Sequence, residues 1–424
     1  MAQNIDSVND EMKTGESKFI AYKYRWLVLI LFMLAGAITQ IVWVTYGTIV
    51  DETAGFFGVS TIEILVLALI FMVAYIPVNF LACWVIDKLG LKWGTGIGVI
   101  LTGVFGFLRV FAVMTKSYVM LLIFQIITAI GQPFVLNSFT KVAASWFPEK
   151  EKTLASGLGT MSMLLGVIIA FLIPPLLVEK IGIDAGISWI TWSFGIASLV
   201  AMVLYLIFVR NKPPTPPNAY ADKTRTLALK GTKSMFKKRD FNLLFIIFLL
   251  GLGTFNAISA VIDVIFGYPL NDPRPGIIGC LIVGGGIIGS VVISALSDHF
   301  RKRKLFIIIS MGAGVILLPL FFFIENDISR YITSFFAGLF LISLLPIGLT
   351  FAAEITYPLP EETSNGLMMW IGQVSGVVLL GCIMLSEGSS LMFINFIIMI
   401  VLFVIGTVLA FFMKDLDAYE IKAS

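Results

Sequence analysis

The sequence predicts an all-α polytopic membrane protein, twelve transmembrane helices arranged as two six-helix bundles. Three observations predict it. Between Arg25 and Lys414 the 424-residue chain is almost continuously apolar. That stretch divides into twelve segments, each able to cross a bilayer as a helix, which takes about 20 residues. One long basic loop, 210–239, then splits the segments six and six. Composition agrees: 58% hydrophobic residues, 13% charged and a mean hydropathy of +0.98 leave too little polar surface to keep a chain of this length dissolved.

Residues 1–24 form a polar tail without the apolar core of a cleavable signal, so the first segment is expected to act as its own insertion signal. The N-terminal bundle, 25–210, holds segments 25–50, 62–86, 92–114, 118–145, 153–178 and 186–210. The linker, 211–239, opens with Asn211-Lys212-Pro213-Pro214-Thr215-Pro216-Pro217, a proline density that stiffens the chain and forbids a continued helix. Its basic remainder, including Lys223, Arg225, Lys230 and Lys233, is expected to lie partly as a short helix against anionic lipid headgroups, each base contributing about 1 kcal/mol. A regulatory or partner site is the alternative there. The C-terminal bundle, 240–413, holds segments 240–267, 275–297, 303–324, 329–357, 362–386 and 389–413, and 414–424 is a second tail.

Charge sets the expected topology. Of the 29 Lys and Arg, 24 fall at the termini and connections of one side, four (Lys116, Lys180, Arg274, Arg330) on the other, and Arg109 inside a segment. The positive-inside bias puts both termini in the cytoplasm, of a protein resident in the plasma or inner membrane. The net charge of +3, so distributed, gives no reason to expect a nucleic-acid partner. Cys83, Cys280 and Cys382 lie in separate segments without metal-type spacing, so neither a disulfide framework nor a zinc site is expected, and no cofactor is implied.

Inside the membrane the polar side chains carry the information, because burying them unpaired is costly. The first segment has Thr39, Gln40, Trp43 and Tyr46, and the fourth has Gln125, Gln132 and Asn137. The seventh has Thr254, Asn256 and Ser259, and the eleventh has Trp370 and Gln373. Counted at 1.5 Å per residue, Trp43, Gln132, Asn256 and Gln373 lie roughly 17–27 Å from the starts of their helices, in the middle or outer half of the hydrocarbon core. For each, packing between helices is the competing role; similar depth on four segments favours one solute site.

The halves repeat a local motif. Asp87-Lys88-Leu89-Gly90-Leu91-Lys92 follows the second segment and Asp298-His299-Phe300-Arg301-Lys302-Arg303-Lys304 follows the eighth, both acid first and then bases. This resembles, in degenerate form, the major facilitator signature Gly-x-x-x-Asp-Arg-x-Gly-Arg-Arg/Lys. Cys83 and Ser294 stand at the first Gly, and Lys88 and His299 at the Arg. The resemblance implies that Asp87 and Asp298 act in gating the cytoplasmic side. It also implies that segments 1, 4, 7 and 10 line the cavity, with 11 adjoining.

A closer resemblance rests on Arg25-Trp26-Leu27-Val28-Leu29, Trp43, Tyr46, Ala74-Tyr75-Ile76-Pro77, Ala143-Ala144-Ser145-Trp146-Phe147 and, most specific, Glu354-Ile355-Thr356-Tyr357-Pro358 through Ser364-Asn365-Gly366-Leu367 to Gln373-Val374. The membrane region is similar to the feline leukaemia virus subgroup C receptor family, linked to choline and ethanolamine transport and earlier to haem export. That resemblance places the family's helix 1 tryptophan on Trp43 and its helix 11 glutamine on Gln373. A second site glutamine falls on Gln132 or, on the fifth segment, on Leu164. The family's helix 7 aromatic falls on Asn256, so the cage around a quaternary ammonium lacks one ring, each ring being worth about 0.5–2 kcal/mol.

Chemistry favours a small cation or zwitterion over an anion, because Arg109 is the only base deep in a segment. His299, the single histidine, lies in a loop, which disfavours haem. Glu354, near the inner end of segment 10, is expected to form a gating pair between the halves. Asp263 is expected to be a partly solvated helix end. No Gly-x-x-x-x-Gly-Lys-Ser/Thr loop supports ATP-driven transport, and no nucleophile and base pair supports an enzyme. The expected function is a monomeric secondary transporter, uniporter or symporter, moving a choline- or ethanolamine-like solute by alternating access. The alternatives are a proton-coupled organic acid carrier, a haem exporter and a receptor without transport. The expected solute-contact residues are Trp43, Gln132, Asn256, Gln373, Thr39 and Tyr46, and the expected gating residues Asp87, Asp298 and Glu354.

Overall fold

A computed structural model describes residues 21–215, 232–357, 359, 361–386 and 391–414. Tail residues 1–20 and 415–424 and linker residues 216–231, with the headgroup contacts expected of the linker, lie outside the described residues. Of the rest of the linker, Thr232–Met235 forms a single helical turn.

Among the described residues eleven helices are long and apolar enough to cross a membrane, and one of them crosses twice. Thr61–Met114 would be about 80 Å long if straight, far beyond a bilayer. It reverses at Gly90, whose φ of 79° and ψ of 176° are open to glycine and strained for any other residue. A Cβ on Gly94 would lie 2.5 Å from the Ile86 Cα, so the two arms leave the turn in backbone contact. The expected loop 87–92 is thus a one-residue break. It separates spans 2 and 3 and brings the number of crossings to twelve.

The remaining spans are Tyr24–Val44, Tyr118–Leu136, Glu149–Ile181 and Ile183–Phe208 in the first half. The second half has Arg239–Ala260, Arg274–Phe300, Arg303–Phe323, Asp327–Thr356, Glu361–Ser386 and Leu391–Phe411. Twelve crossings return both ends of the chain to one face, here called the terminal face; the opposite one is the distal face. Leu, Ile, Val and Phe side chains on the outside of the bundle are widely exposed, among them Ile207, Ile316 and Phe411, as lipid contact requires.

Three spans are shorter than their apolar segments. Span 1 stops at Val44, and after a turn the short helix Val50–Phe57 begins. Span 4 stops at Leu136, three residues after Pro133, and resumes as Phe139–Trp146. Span 7 stops at Ala260 and restarts as Ile262–Phe266. Interrupted helices expose backbone groups that must find partners or line a cavity. All three belong to the spans expected to face the centre.

Packing depends on small residues. Spans 8 and 10 cross so closely that a Cβ on Gly338 would sit 1.7 Å from the Ile282 carbonyl oxygen and one on Gly289 1.9 Å from that of Leu339. Gly285 and Gly289 form the small-xxx-small ridge that lets transmembrane backbones approach. The halves meet through spans 2 and 11 and spans 5 and 8. Trp370 Nε1 donates to the Ile76 carbonyl at 3.1 Å with Phe80 against its ring, and Cys280 Sγ to the Ile168 carbonyl at 3.5 Å.

Candidate functional site

Trp43 lies near the end of span 1, 8% exposed. Its indole Nε1 donates to the Ala68 carbonyl of span 2 at 3.2 Å, so its one hydrogen bond is already made and its remaining surface is the π face. Together with Tyr46, Gly47, Val50, Ile64, Leu65, Leu67, Ala68 and Ala260 it lines a cavity of ≈ 10 Å³ at the seam between the halves. That holds about one water, whereas pockets for small molecules run to hundreds of Å³. The seam is therefore shut around Trp43 in this conformation.

The wall behind the cavity is polar. Tyr46 shares a hydrogen bond with Thr191 at 3.3 Å, and the Arg109 guanidinium stands 5.9 Å from the Tyr46 ring centre. Arg109 is fully buried, and Gln125, expected among the centre-facing polar groups, instead binds it at 3.2 Å.

The other expected contacts are distributed. Thr39 is buried and turns its hydroxyl back to the Gly36 carbonyl of its own helix at 2.7 Å. Gln132 is 4% exposed on span 4. Asn256 is 5% exposed and its Nδ2 lacks a partner. Asn256 packs where a Cβ on Gly376 would meet it at 3.2 Å and Met72 Sδ at 2.8 Å, at the junction of spans 2, 7 and 11. Gln373 is half-buried, one turn from Gly376 on span 11. Trp43 and Tyr46 thus share a cavity, and Asn256 and span 11 share a junction. Gln40 Oε1, buried without a partner, is a further orphan on span 1.

The expected gating acids each pair inside their own half. Asp87 accepts from Lys141 at 2.7 Å, and Lys141 also reaches the Ile86 carbonyl at 3.1 Å, joining the span 2–3 turn to the short helix after span 4. Asp298 pairs with Arg303, which also holds Glu354 at 3.0 Å and Ser297 at 3.2 Å. Glu354, expected to pair between the halves, is here bonded within the C-terminal one. Asp87 and Lys92 have the same spacing in sequence as Asp298 and Arg303, but the pairing differs: Asp298 holds the Arg303 of its own turn, whereas Asp87 holds Lys141 from the segment after span 4.

On the distal face sequence reading missed a contact. Asp263, expected to be partly solvated, accepts from the Val50 backbone N–H of the other half at 2.8 Å. Glu52, 5% exposed, accepts from the Asn271 N–H at 2.6 Å. Burial beside Glu52 and Asp51 pushes the Asp263 carboxyl up to about 7, and burial raises that of Glu52 as well. Both acids lie beyond the helical ends of their spans.

The model of the Major Facilitator Superfamily matches residues 28–380. An uncharacterized MFS-type transporter of Caenorhabditis elegans is 30% identical over 93% of this chain and 70% of its own length. The choline/ethanolamine transporter flvcr2b of Danio rerio is 28% identical over 88% of this chain and 80% of its own. Among solved structures, the D-xylose-proton symporter superposes with a TM-score of 0.73 at 13% identity, covering 93% of this chain and 99% of that one. A bacterial homologue of the human lysosomal transporter Spinster, inward-facing and unoccupied, gives 0.68 at 15%, covering 92% and 97%. The two six-helix halves, their repeated acid-and-base turns and the matched model agree, and the chain belongs to the major facilitator superfamily.

Proposed function

We propose that this protein is a secondary transporter that carries a choline- or ethanolamine-like cation or zwitterion between its two halves by alternating access. The observation that carries the reading is Trp43: an indole buried at the seam, its N–H already bonded to Ala68, which leaves a π face as its contribution to a solute. A desolvated ammonium gains up to about 2 kcal/mol from such a face. The relative named a choline/ethanolamine transporter supports the same chemistry. Arg109 does not line the cavity, which disfavours an organic anion. The shut seam corresponds to one state of the cycle; the solute enters when the halves part.

We assign the terminal face to the cytoplasm, a reading the charge asymmetry supports, and the protein to the plasma membrane as a monomer without a cofactor or enzymatic activity. The basic linker is proposed to rest on anionic headgroups. The reading is tested with purified protein in liposomes. Labelled choline or ethanolamine should enter saturably, and Trp43→Ala should lower the affinity at least about tenfold while the protein still elutes as a folded monomer. Absence of saturable uptake and of binding by the parent protein for both solutes would refute it.

A further inference from the structure

Two hydrogen bonds cross the distal seam in reciprocal fashion. Asp263, from the C-terminal half, accepts from the Val50 N–H, which opens the short helix Val50–Phe57 of the other half. Glu52, on that helix, accepts from the Asn271 N–H of the C-terminal half. Each half therefore supplies one carboxylate and one backbone donor. Just below, a Cβ on Gly47 would come within 3.3 Å of the Ser259 carbonyl oxygen, so the backbones of the two halves nearly touch.

Neither acid has a basic partner among the described residues. The charged groups on the elements packed around them are Asp51, Asp272, Glu63, Asp184, Asp327, Lys116, Arg274 and Arg330. Asp51 adds negative charge beside both acids, and Asp272 adds more beside Glu52. The three bases are engaged elsewhere, Arg274 with Asp272 and Asp327, Lys116 with Asp184 and the Phe56 ring, and Arg330 with Asp327, the Ile324 carbonyl and the Phe266 ring. Glu63 closes a capping box with Ser60. One oxygen of Glu52, Oε2, is buried without a partner. Closing this face thus brings two carboxylates together, out of water, with no cation to compensate.

We propose that Glu52 and Asp263 form a proton-operated latch on the distal gate: uptake of a proton at this pair favours the shut seam, and its loss favours opening toward the distal side. The proposal rests on the alternating-access reading given above.

The sign follows from linkage. In an open seam both acids are solvated and titrate in the ordinary carboxylate range, whereas in the shut seam Asp263 is raised to about 7. The state with the higher affinity for a proton is favoured as pH falls. Above this value the shut state carries an ionised Asp263 beside Glu52 and Asp51 and is disfavoured; below it, a neutral Asp263 still accepts from Val50 through its carbonyl oxygen. Between pH 8 and pH 6 the ratio of shut to open molecules should rise about tenfold. Because the proton arrives from and returns to the same face, the latch biases the gate without carrying protons across.

The test measures the seam directly, without solute. Nitroxide labels are placed at Gly55→Cys, where a side chain meets nothing within 4 Å, and at the exposed Leu270→Cys, with the exposed Cys382 replaced by Ser. Distances across the distal face are read by double electron–electron resonance between pH 5.5 and 8.5. The short-distance population should grow as pH falls through about 7. Asp263→Asn, which keeps the acceptor and removes the charge, should hold the short distance at every pH. Two populations whose ratio ignores pH, or a pH response unchanged by Asp263→Asn, would overturn the latch and leave alternating access standing. A single distance at every pH, matched by a single distance for a second label pair on the terminal face, would overturn both.

Discussion

Arg109 and Gln125 converge on one carbonyl. Arg109 Nη1 donates to Gln125 Oε1 at 3.2 Å and to Val42 O at 3.4 Å, and Gln125 Nε2 donates to the same Val42 O at 3.2 Å and to Leu67 O at 3.3 Å. Val42 is among the last four residues of the span 1 helix, whose carbonyls point past the helix end, and the Thr45 hydroxyl also reaches it at 3.4 Å. The negative end of that helix dipole, with two amide carbonyls, stands in for the acid that Arg109 lacks. Spans 1, 2, 3 and 4 are joined by this cluster, directly behind the ring of Tyr46.

The cluster predicts an asymmetry between its members. Gln125→Leu leaves a buried guanidinium short of a partner and should cost about 3 kcal/mol, whereas Arg109→Met removes the charge and leaves Gln125 on Val42, costing about 1 kcal/mol. Apparent unfolding midpoints in detergent should rank parent, Arg109→Met, then Gln125→Leu. Equal midpoints for the two variants would mean that the cluster carries no net charge burden.

The crossing of spans 8 and 10 predicts a position that tolerates no methyl group. Gly338→Ala places a Cβ 1.7 Å from the Ile282 carbonyl oxygen, a backbone atom that cannot step aside, so the spans must part at a cost of about 3 kcal/mol or more. Gly381→Ala, with nothing within 4 Å, should be neutral or slightly stabilising through helix propensity. Fluorescence-detected size exclusion of the solubilised variants should show Gly338→Ala lost or aggregated and Gly381→Ala like the parent.

The number and grouping of the spans were legible in sequence because helix length and lysine and arginine placement are one-dimensional properties. The interruptions in spans 1, 4 and 7 were not. The residues around Thr45 and Val261 are nearly as apolar as a continuous helix would be, and only Gly47, Pro133 and the polar run Asn137-Ser138 hint at a break. Hydropathy gives the depth of a side chain and leaves its direction open. Trp43 and Tyr46 do meet at a cavity, while Gln125, at a similar depth in the membrane, faces Arg109. Asp263 sits beyond its span, and its burial depends on Val50, more than 200 residues earlier. No local pattern encodes that contact.

The terminal face yields a test of gating. Asp87 and Lys141 tie the span 2–3 turn to the segment after span 4, at 2.7 Å, with both side chains largely buried. Asp87→Asn should raise the reactivity of a cysteine introduced into the cavity toward a reagent applied from the terminal side, and should slow transport severalfold. The exchange Asp87→Lys with Lys141→Asp should restore part of both, since opposite charges again face each other. Equal labelling rates in parent and Asp87→Asn would reduce the pair to a marker of topology.

Asn256 separates a group kept for the solute from an ordinary packing defect. Its Nδ2 is buried without a partner at the junction of spans 2, 7 and 11, and an unsatisfied amide there costs about 1–3 kcal/mol. Asn256→Leu conserves the volume and removes the polar group, so the protein without solute should unfold at higher temperature. If the amide serves a hydroxyl or ammonium of the solute in the open state, the same change should weaken choline binding about tenfold, the net worth of one hydrogen bond. Thermal unfolding and calorimetric titration of the same preparation read the two effects separately. Higher stability with unchanged affinity would remove Asn256 from the site. A tyrosine at 256, placed to supply the missing aromatic face, must first displace Met72 from Gly376. Its gain for choline over a neutral isostere, up to about thirtyfold for a desolvated contact, should therefore appear only alongside a loss of the shut seam in the spin-label distances.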